Sequence, residues 1–388
     1  MNDVFILSGK RTPIGSFMGE LSGVEAPKLA ATAIKGAIEA TTINKDEIDE
    51  VYMGSVLTAG VGQAPARQAA IFSGLKTSAR ATTINKVCGS GLQAIILGAN
   101  SIKLGQNNLV VAGGMENMSL APHLLPNSRS GYKYGNQSIV DSMQFDGLWD
   151  VYTNRTMGNC AEECLKTLKI SRAEQDEFAI ESFKRAQKST TEKVFAREIT
   201  PVKIVVKKDE KVVVADEGPF KANFEKIPKL NPAFEKEGTI TAANASTIND
   251  GAAAVILSSS NASKGAKFKI RSYAGFAHEP TWFTTAPINS IQKALQLANL
   301  KLSDIDLFEI NEAFAMVAIA AVKELKIPQN KLNIYGGAIA LGHPIGCSGT
   351  RIVVTLMNAM ENSNARLGLA SICIGGGEAL SLIIERIN

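Results

Sequence analysis

Three short segments place reactive side chains beside glycine. Val87-Cys88-Gly89-Ser90-Gly91 sets a cysteine at the start of an apolar, helix-like run. Unpaired N–H groups and the helix dipole at such a position favour a thiolate, and the glycines let a substrate carbonyl approach closely. Gly336 to Gly349 contains His343, one of three histidines in the chain and the only one in a glycine-rich turn before a helix, with Pro344 setting the turn. Ser371-Ile372-Cys373-Ile374-Gly375-Gly376-Gly377 reads as a buried strand whose cysteine faces a cleft, followed by the free N–H groups an oxyanion hole needs. A fourth segment, Asn311-Glu312-Ala313-Phe314, follows the strand Leu307 to Ile310, and strand carboxyl ends are where sites form in α/β sheets. The chemistry on offer is a thiol nucleophile, an imidazole base, a second thiol and an amide that polarises a carbonyl or holds a water.

The elements that position these groups come in two copies. Ala37 to Val51 and Ala294 to Phe308 both read as a helix, a polar turn and a strand. Gly89-Ser90-Gly91 and Cys347-Ser348-Gly349 each open a helix. Leu109 to Gly114 and Ser371 to Gly376 are strands ending in glycines, and all three correspondences share an offset of about 260 residues. The first and last stretches, each about 115 residues, are therefore two copies of one α/β unit, expected to pack with approximate twofold symmetry and to turn their glycine-rich ends toward a shared cleft. The middle, 119–249, breaks the pattern. Ser171-Arg172-Ala173-Glu174 is a capping box opening a helix to Lys188, Thr200 to Asp216 reads as a hairpin, and Lys207, Lys208, Lys211, Lys221, Lys226 and Lys229 make it a lid whose cations are either solvated or meet an anionic ligand.

Composition excludes several classes. The chain has 388 residues, 45% of them apolar, and 41 Lys plus Arg against 37 Asp plus Glu. That length suits two or three domains with a sizeable core and rules out disorder. The small net charge, with no run of five or more like charges, argues against nucleic acid. The longest apolar run, Ala313 to Val322, is half what a membrane span requires. The N-terminal apolar core is too short for a secretory signal, so the cytoplasm is the expected compartment. Five cysteines without a CxxC pair indicate neither a zinc knuckle nor a redox motif, and no metal is expected. Cys160, Cys164 and Cys347 are expected to pack as small apolar residues.

Across its whole length the chain resembles the thiolases, and within them the biosynthetic type. The resemblance rests on Val87 to Gly91, Gly113-Gly114-Met115-Glu116-Asn117-Met118-Ser119, Asn244-Ala245-Ser246, Asn249-Asp250-Gly251-Ala252-Ala253, Asn311 to Phe314, Gly342-His343-Pro344 and Cys373 to Gly377. It implies an α/β fold of two related βαβαβαββ-type halves packed as a five-layered α-β-α-β-α core with an inserted loop domain. The expected divisions are 1–118 plus 250–270, 119–249 and 271–388. It implies that Cys88 carries the acyl group, His343 activates it, Cys373 is the acid/base at the substrate α-carbon, and Asn311 holds an oxyanion-hole water. The amides of Cys88 and Gly375 form a second hole, and Ser246 contacts the pantetheine arm of coenzyme A. The implied activity is ping-pong Claisen condensation of two acetyl-CoA and its thiolytic reverse; the alternative is a broader-range 3-ketoacyl-CoA thiolase. Acyl-CoA substrates bring the only coenzyme, and a homo-oligomer, tetramer or dimer, is implied.

Met157, Phe314, Thr156 and Leu148 are the expected acyl-pocket residues. Thr156 stands where short-chain members usually carry histidine, and Trp149, where a small residue is common, is expected to narrow or reshape the pocket. The segment Gly218-Pro219-Phe220-Lys221 lacks the tyrosine through which some members bind potassium, so no potassium dependence is expected. A condensing enzyme for carrier-protein substrates would show one cysteine with two histidines, and an inactive CoA-binding scaffold would not need the Cys, His, Cys set intact.

Overall fold

The computed structural model describes residues 2–206, 209–259 and 265–387. Its main sheet runs Leu307–Ile310, Leu367–Ile374, Glu378–Arg386, Phe268–Ala277, Val4–Arg11, Asn249–Ser259, Leu109–Asn117, Glu50–Gly54, Arg80–Ile84, with the short strand Gly15–Ser16 beside Asn249–Ser259. The duplication is visible in the ladder. Glu50–Gly54 pairs parallel with Leu109–Asn117, which pairs antiparallel with Asn249–Ser259, which pairs antiparallel with Val4–Arg11. Leu307–Ile310, Leu367–Ile374, Glu378–Arg386 and Phe268–Ala277 repeat those three relations in order. Even the outer parallel strand has a remnant, a single bridge between Phe308 and Leu332. The two halves join where Phe5 faces Lys269 and Ile6 faces Phe268.

Strands Leu109–Asn117, Asn249–Ser259 and Leu367–Ile374 are buried at every position. Such strands have both faces covered, which is why they read as continuous apolar runs rather than alternating ones. The helices supply the cover. Helices α1 (Ala26–Glu39) and α2 (Pro65–Phe72) lie outside the first half, and α3 (Ser90–Lys103) lies inside it. In the insert run α4 (Met157–Leu168) and α5 (Arg172–Thr191). Helix α6 (Ala286–Ala298) lies outside the second half with α7 (Ala315–Leu325) beside it. A short α8 (Ala338–Leu341) precedes α9 (Ile345–Ser363), which packs against α3 and against strands of both halves. The result is the five-layered core, with α3 and α9 in the middle layer.

Helix α9 is buried from Ile345 to Met360. Its Ile352, Val353 and Leu356 meet Leu92, Ile95 and Ile96 of α3 in one apolar cluster with Val110, Val255 and Ile372 from the sheet. The helices cross where each carries glycine. A Cβ on Gly349 would lie 2.4 Å from the Leu92 amide nitrogen, and one on Gly91 2.8 Å from that of Thr350. This backbone contact is the physical reason both copies open their helix with Ser-Gly.

The insert folds as its local signals direct. Ser171 and Glu174 form the capping box that opens α5, and Val202–Val206 pairs with Asp209–Val213 as a hairpin. Of its cations, Lys207 and Lys208 lie outside the described residues. Lys211 reaches Glu20 at 2.6 Å, Lys221 lies 3.6 Å from Glu217, and Lys226 and Lys229 are exposed. A buried guanidinium fastens the insert to the core: Arg11 at the end of the first strand binds Glu198 at 2.6 Å and Asp216 at 2.6 and 2.9 Å. No helix among the described residues is long and apolar enough to cross a membrane.

Candidate active site

The carboxyl ends of the strands and the N-termini of α3 and α9 open on one cavity of about 930 Å³. Cys88, His343, Cys373 and Gly375 line it, as do Ser246, Leu148, Thr156, Met157 and Phe314. Residues as far apart in number as Cys88 and Gly375 thus share one wall, as the matched glycine-rich ends require.

Cys88 sits in a tight turn that α3 closes. The amide of Gly89 donates to the Lys86 carbonyl at 3.0 Å, and the Ser90 hydroxyl donates to the Val87 carbonyl at 2.6 Å. Val87 is held at φ +44°, a left-handed conformation rare for a β-branched residue and of the kind that clusters at functional sites. The N–H groups of Gly375 and Cys88 itself face the sulfur and favour its charged form, yet burial dominates and pushes the thiol up to about 11. Placement at a helix start therefore does not yield the resting thiolate that the sequence suggested: desolvation outweighs the helix N-terminus, and nucleophilic attack by this thiol would need a base.

The imidazole of His343 lines the same cavity. Burial first, then the charge of Arg351, push His343 down to about 3, so the imidazole is neutral. Its Nδ1 lies 2.6 Å from the Ser348 hydroxyl, whose single proton goes to the Pro344 carbonyl 2.9 Å away. Ser348 must then accept from Nδ1–H, which leaves the lone pair on Nε2. Nε2 is 3.5 Å from the Asn311 side-chain nitrogen. Asn311 is fully buried, and its amide N–H extends the ladder to the Ser371 carbonyl at 2.9 Å. Its Oδ1 is buried without a hydrogen-bond partner among the described residues, so it can take a donor. Asn311 contacts His343 at Nε2 without lining the cavity itself.

Cys373 occupies the penultimate position of its strand, opposite Ala379. Burial and the neighbouring Cys88 raise its thiol well above the ordinary value. Cys347 is 1% exposed and pushed by burial up to about 12, and Cys160 and Cys164 are fully buried on one face of α4, so these three pack as expected.

The remaining sequence motifs hold the turn that carries His343. Asn249 Oδ1 accepts the His343 amide at 3.0 Å, and Asn249 Nδ2 donates to the Gly15 carbonyl at 2.9 Å. Glu116 accepts the amides of Val56 and Leu57 at 3.1 Å and of Gly346 at 2.9 Å, linking the first half to the start of α9. Ser246 donates to the Ala313 carbonyl at 2.9 Å, which sets the Asn244 to Ser246 segment against Phe314. Ser348, Asn249, Glu116 and Arg351 escaped the sequence reading as parts of the site. Ser348 had a signal, since it repeats Ser90, the residue that closes the Cys88 turn.

Thr156 caps α4, accepting the Asn159 amide at 3.3 Å and donating to the Asn159 side chain at 2.6 Å. Met157 beside it approaches Gly375, and Phe314 packs edge-on against Phe234 and Phe283 at centroid distances of 6.0 and 6.2 Å. Trp149 does not line the cavity, contrary to expectation: its indole N–H turns to Asn154 at 3.2 Å, and only its strand neighbours Leu148 and Thr156 reach the wall. Among the described residues no cluster of three or more His, Cys, Asp or Glu could hold a metal ion.

Known proteins share both halves. The profile of the thiolase N-terminal domain matches residues 4–261 and that of the thiolase C-terminal domain residues 265–386. The acetyl-CoA acetyltransferase of Schizosaccharomyces pombe is 47% identical over 391 residues, covering 99% of each chain. The mitochondrial acetyl-CoA acetyltransferase of Rattus norvegicus is 48% identical, covering 100% of this chain and 92% of its own. A solved thiolase from Ascaris suum in complex with coenzyme A superposes with a TM-score of 0.95 at 43% identity, covering 99% of this chain and 100% of its own. Fold, duplication and sequence agree from end to end, and the chain belongs to the thiolase family.

Proposed function

We propose that the protein is an acetyl-CoA C-acetyltransferase that condenses two acetyl-CoA to acetoacetyl-CoA and CoA, and catalyses the reverse thiolysis. The observation that carries this reading is the convergence of Cys88, His343, Cys373 and Gly375 on one apolar cavity, with Asn311 at His343 Nε2. The full-length likeness to acetyl-CoA acetyltransferases supports it.

In the first half-reaction the Cys88 sulfur attacks the acetyl thioester as His343 Nε2 takes its proton. The oxyanion faces the amides of Cys88 and Gly375. The C–S bond to CoA breaks, and Cys373 gives its proton to the departing CoA thiolate. This leaves acetyl-Cys88, an imidazolium and a Cys373 thiolate. In the second half-reaction that thiolate removes an α-proton from another acetyl-CoA. The enolate oxygen is held by the imidazolium and an Asn311-bound water, and the carbanion attacks the acetyl-Cys88 carbonyl. Collapse releases acetoacetyl-CoA, and the Cys88 sulfur recovers its proton from His343. Each oxyanion donor is worth about 2.7–4 kcal/mol of barrier.

Two neutral resting thiols and a neutral imidazole suit this sequence, because charge develops only once substrate fills the cavity. Lys221 and Lys226 at the cavity wall suit the phosphates of CoA, and Ser246 its pantetheine arm. CoA arrives with the substrates, and no resident cofactor or metal is proposed. Met157, Phe234, Phe283 and Phe314 bound an acyl site for short chains. A homo-oligomer, dimer or tetramer, is proposed from the strand Arg80–Ile84, which ends the sheet with a partner on one side only among the described residues. The cytoplasm is the proposed compartment.

Incubation with acetyl-CoA at neutral pH should acetylate Cys88 stoichiometrically, seen by intact-mass and peptide mass spectrometry; an unmodified Cys88 rejects the proposal. Thiolysis rates should fall from acetoacetyl-CoA to 3-ketohexadecanoyl-CoA; equal or better rates on long chains would replace the acetyl specificity with that of a broad-range enzyme.

A further inference from the structure

Near His343 and Asn311, but not lining the cavity, a guanidinium and a carboxyl group are sealed in the interior. Arg351 lies in the buried part of α9 and Glu309 in the strand Leu307–Ile310, each 1% exposed. Their closest atoms, a guanidinium nitrogen and a carboxylate oxygen, are 3.6 Å apart, within ion-pair range but beyond a hydrogen bond. All three guanidinium nitrogens and both carboxylate oxygens lack a hydrogen-bond partner among the described residues. Such a pair is a poor device for stability, since well-packed apolar residues in the same space would do as well or better.

Its placement gives it another use. Glu309 precedes Asn311 by two positions on a ladder that continues through the Asn311 amide, so the two side chains share a face. Arg351 follows Ser348 by one helical turn, and Ser348 holds His343 Nδ1. The strand that delivers Asn311 and the helix that orients His343 are therefore tied near the 3.5 Å contact between them. We propose that Glu309 and Arg351 are positioning residues of the condensation reaction, their ion pair bracing Asn311 and His343 in the alignment the oxyanion hole needs. The inference rests on the thiolase reading above.

The surrounding charges agree with this role. Arg351 is the charged side chain that acts on His343, adding to burial in disfavouring imidazolium, and the thiols Cys88 and Cys373 line the same cavity as neutral groups. Burial raises the Glu309 carboxyl and Glu312 and Glu198 add to this, while Arg351 at 3.6 Å and Arg185 oppose the shift and favour the ionised form.

The test compares R351M/E309L with the native enzyme and with R351K and E309Q. The double variant removes both charges at similar volume and should keep a melting temperature near native. Its kcat for acetoacetyl-CoA thiolysis should fall by about 10-fold to 100-fold with KM within about twofold. With the cation gone, the acid limb of its kcat/KM profile should move to higher pH, because His343 then protonates more readily. R351K keeps the cation and should recover part of the loss; E309Q should lower kcat without moving the limb. Native kcat and an unmoved acid limb in the folded double variant would overturn the proposal. If that variant does not fold, native kcat in E309Q overturns it. Absence of acetyl-Cys88 in the native enzyme would instead reject the thiolase reading itself.

Discussion

At the scale of the residue, the two cavity thiols proposed to act in the reaction differ in their surroundings. Cys88 faces two backbone N–H groups that favour its charged form, whereas Cys373 is raised by burial and by the neighbouring Cys88. A Cys373→Ala variant should therefore still form acetyl-Cys88 but not condense it, with the acyl-enzyme accumulating in mass spectra; normal condensation by that variant would remove Cys373 from the proposed proton transfer. Ser348 sets which imidazole nitrogen carries the proton. Ser348→Ala frees the ring to adopt the other tautomer, so kcat should fall by about 10²-fold, within the usual range for a general base, with KM near native. A matching loss in KM alone would show that Ser348 shapes binding instead.

At the scale of the element, the glycines that open α3 and α9 decide how close the two helices come. Alanine at position 349 would gain about 0.5–1 kcal/mol in helix propensity. Its Cβ would meet the Leu92 backbone at 2.4 Å, and overpacking against a group that cannot yield costs about 1–3 kcal/mol. The clash wins, so Gly349→Ala should lower the urea midpoint and, by parting the helices that carry Cys88 and His343, cut activity more than stability. A midpoint equal to or above native would show that the helices can separate freely.

These elements were legible in the chain because they rest on local chemistry. The Ser171-Glu174 capping box, the hairpin around residues 202–213 and the strand Leu307–Ile310 all stand where the pattern places them. Helix α9 begins at Ile345, before the apolar segment that announced it, because Pro344 already caps the turn holding His343. Trp149 misled because its indole N–H is taken by Asn154 at 3.2 Å, in the turn between the two short strands, and the ring does not reach the cavity wall.

At the scale of the whole molecule, Glu116 couples the halves to pH. Burial pushes this carboxyl up to about 7 although three backbone N–H groups stabilise its charge. Between about 4.5 and 7 the folded protein holds a proton that the unfolded chain has released, so this group's contribution to stability is present at low pH and lost as pH rises through 7. Glu116→Gln should flatten that component, seen as a smaller drop in melting temperature from pH 5 to 8 than in the native protein. An unchanged slope would assign the titration elsewhere.

By itself the sequence determined the duplication and the family resemblance and nominated the residues proposed to react, since these depend on periodicity, turn chemistry and short motifs that are properties of neighbouring residues. Only the tertiary structure decided the state of those residues. Burial turned the expected Cys88 thiolate into a thiol, Ser348 chose the His343 tautomer, and Arg351 and Glu309 came to lie near the site. Each of these depends on which distant side chains exclude water from a group and which remain to pair with it, and that is settled only when the two halves close on each other.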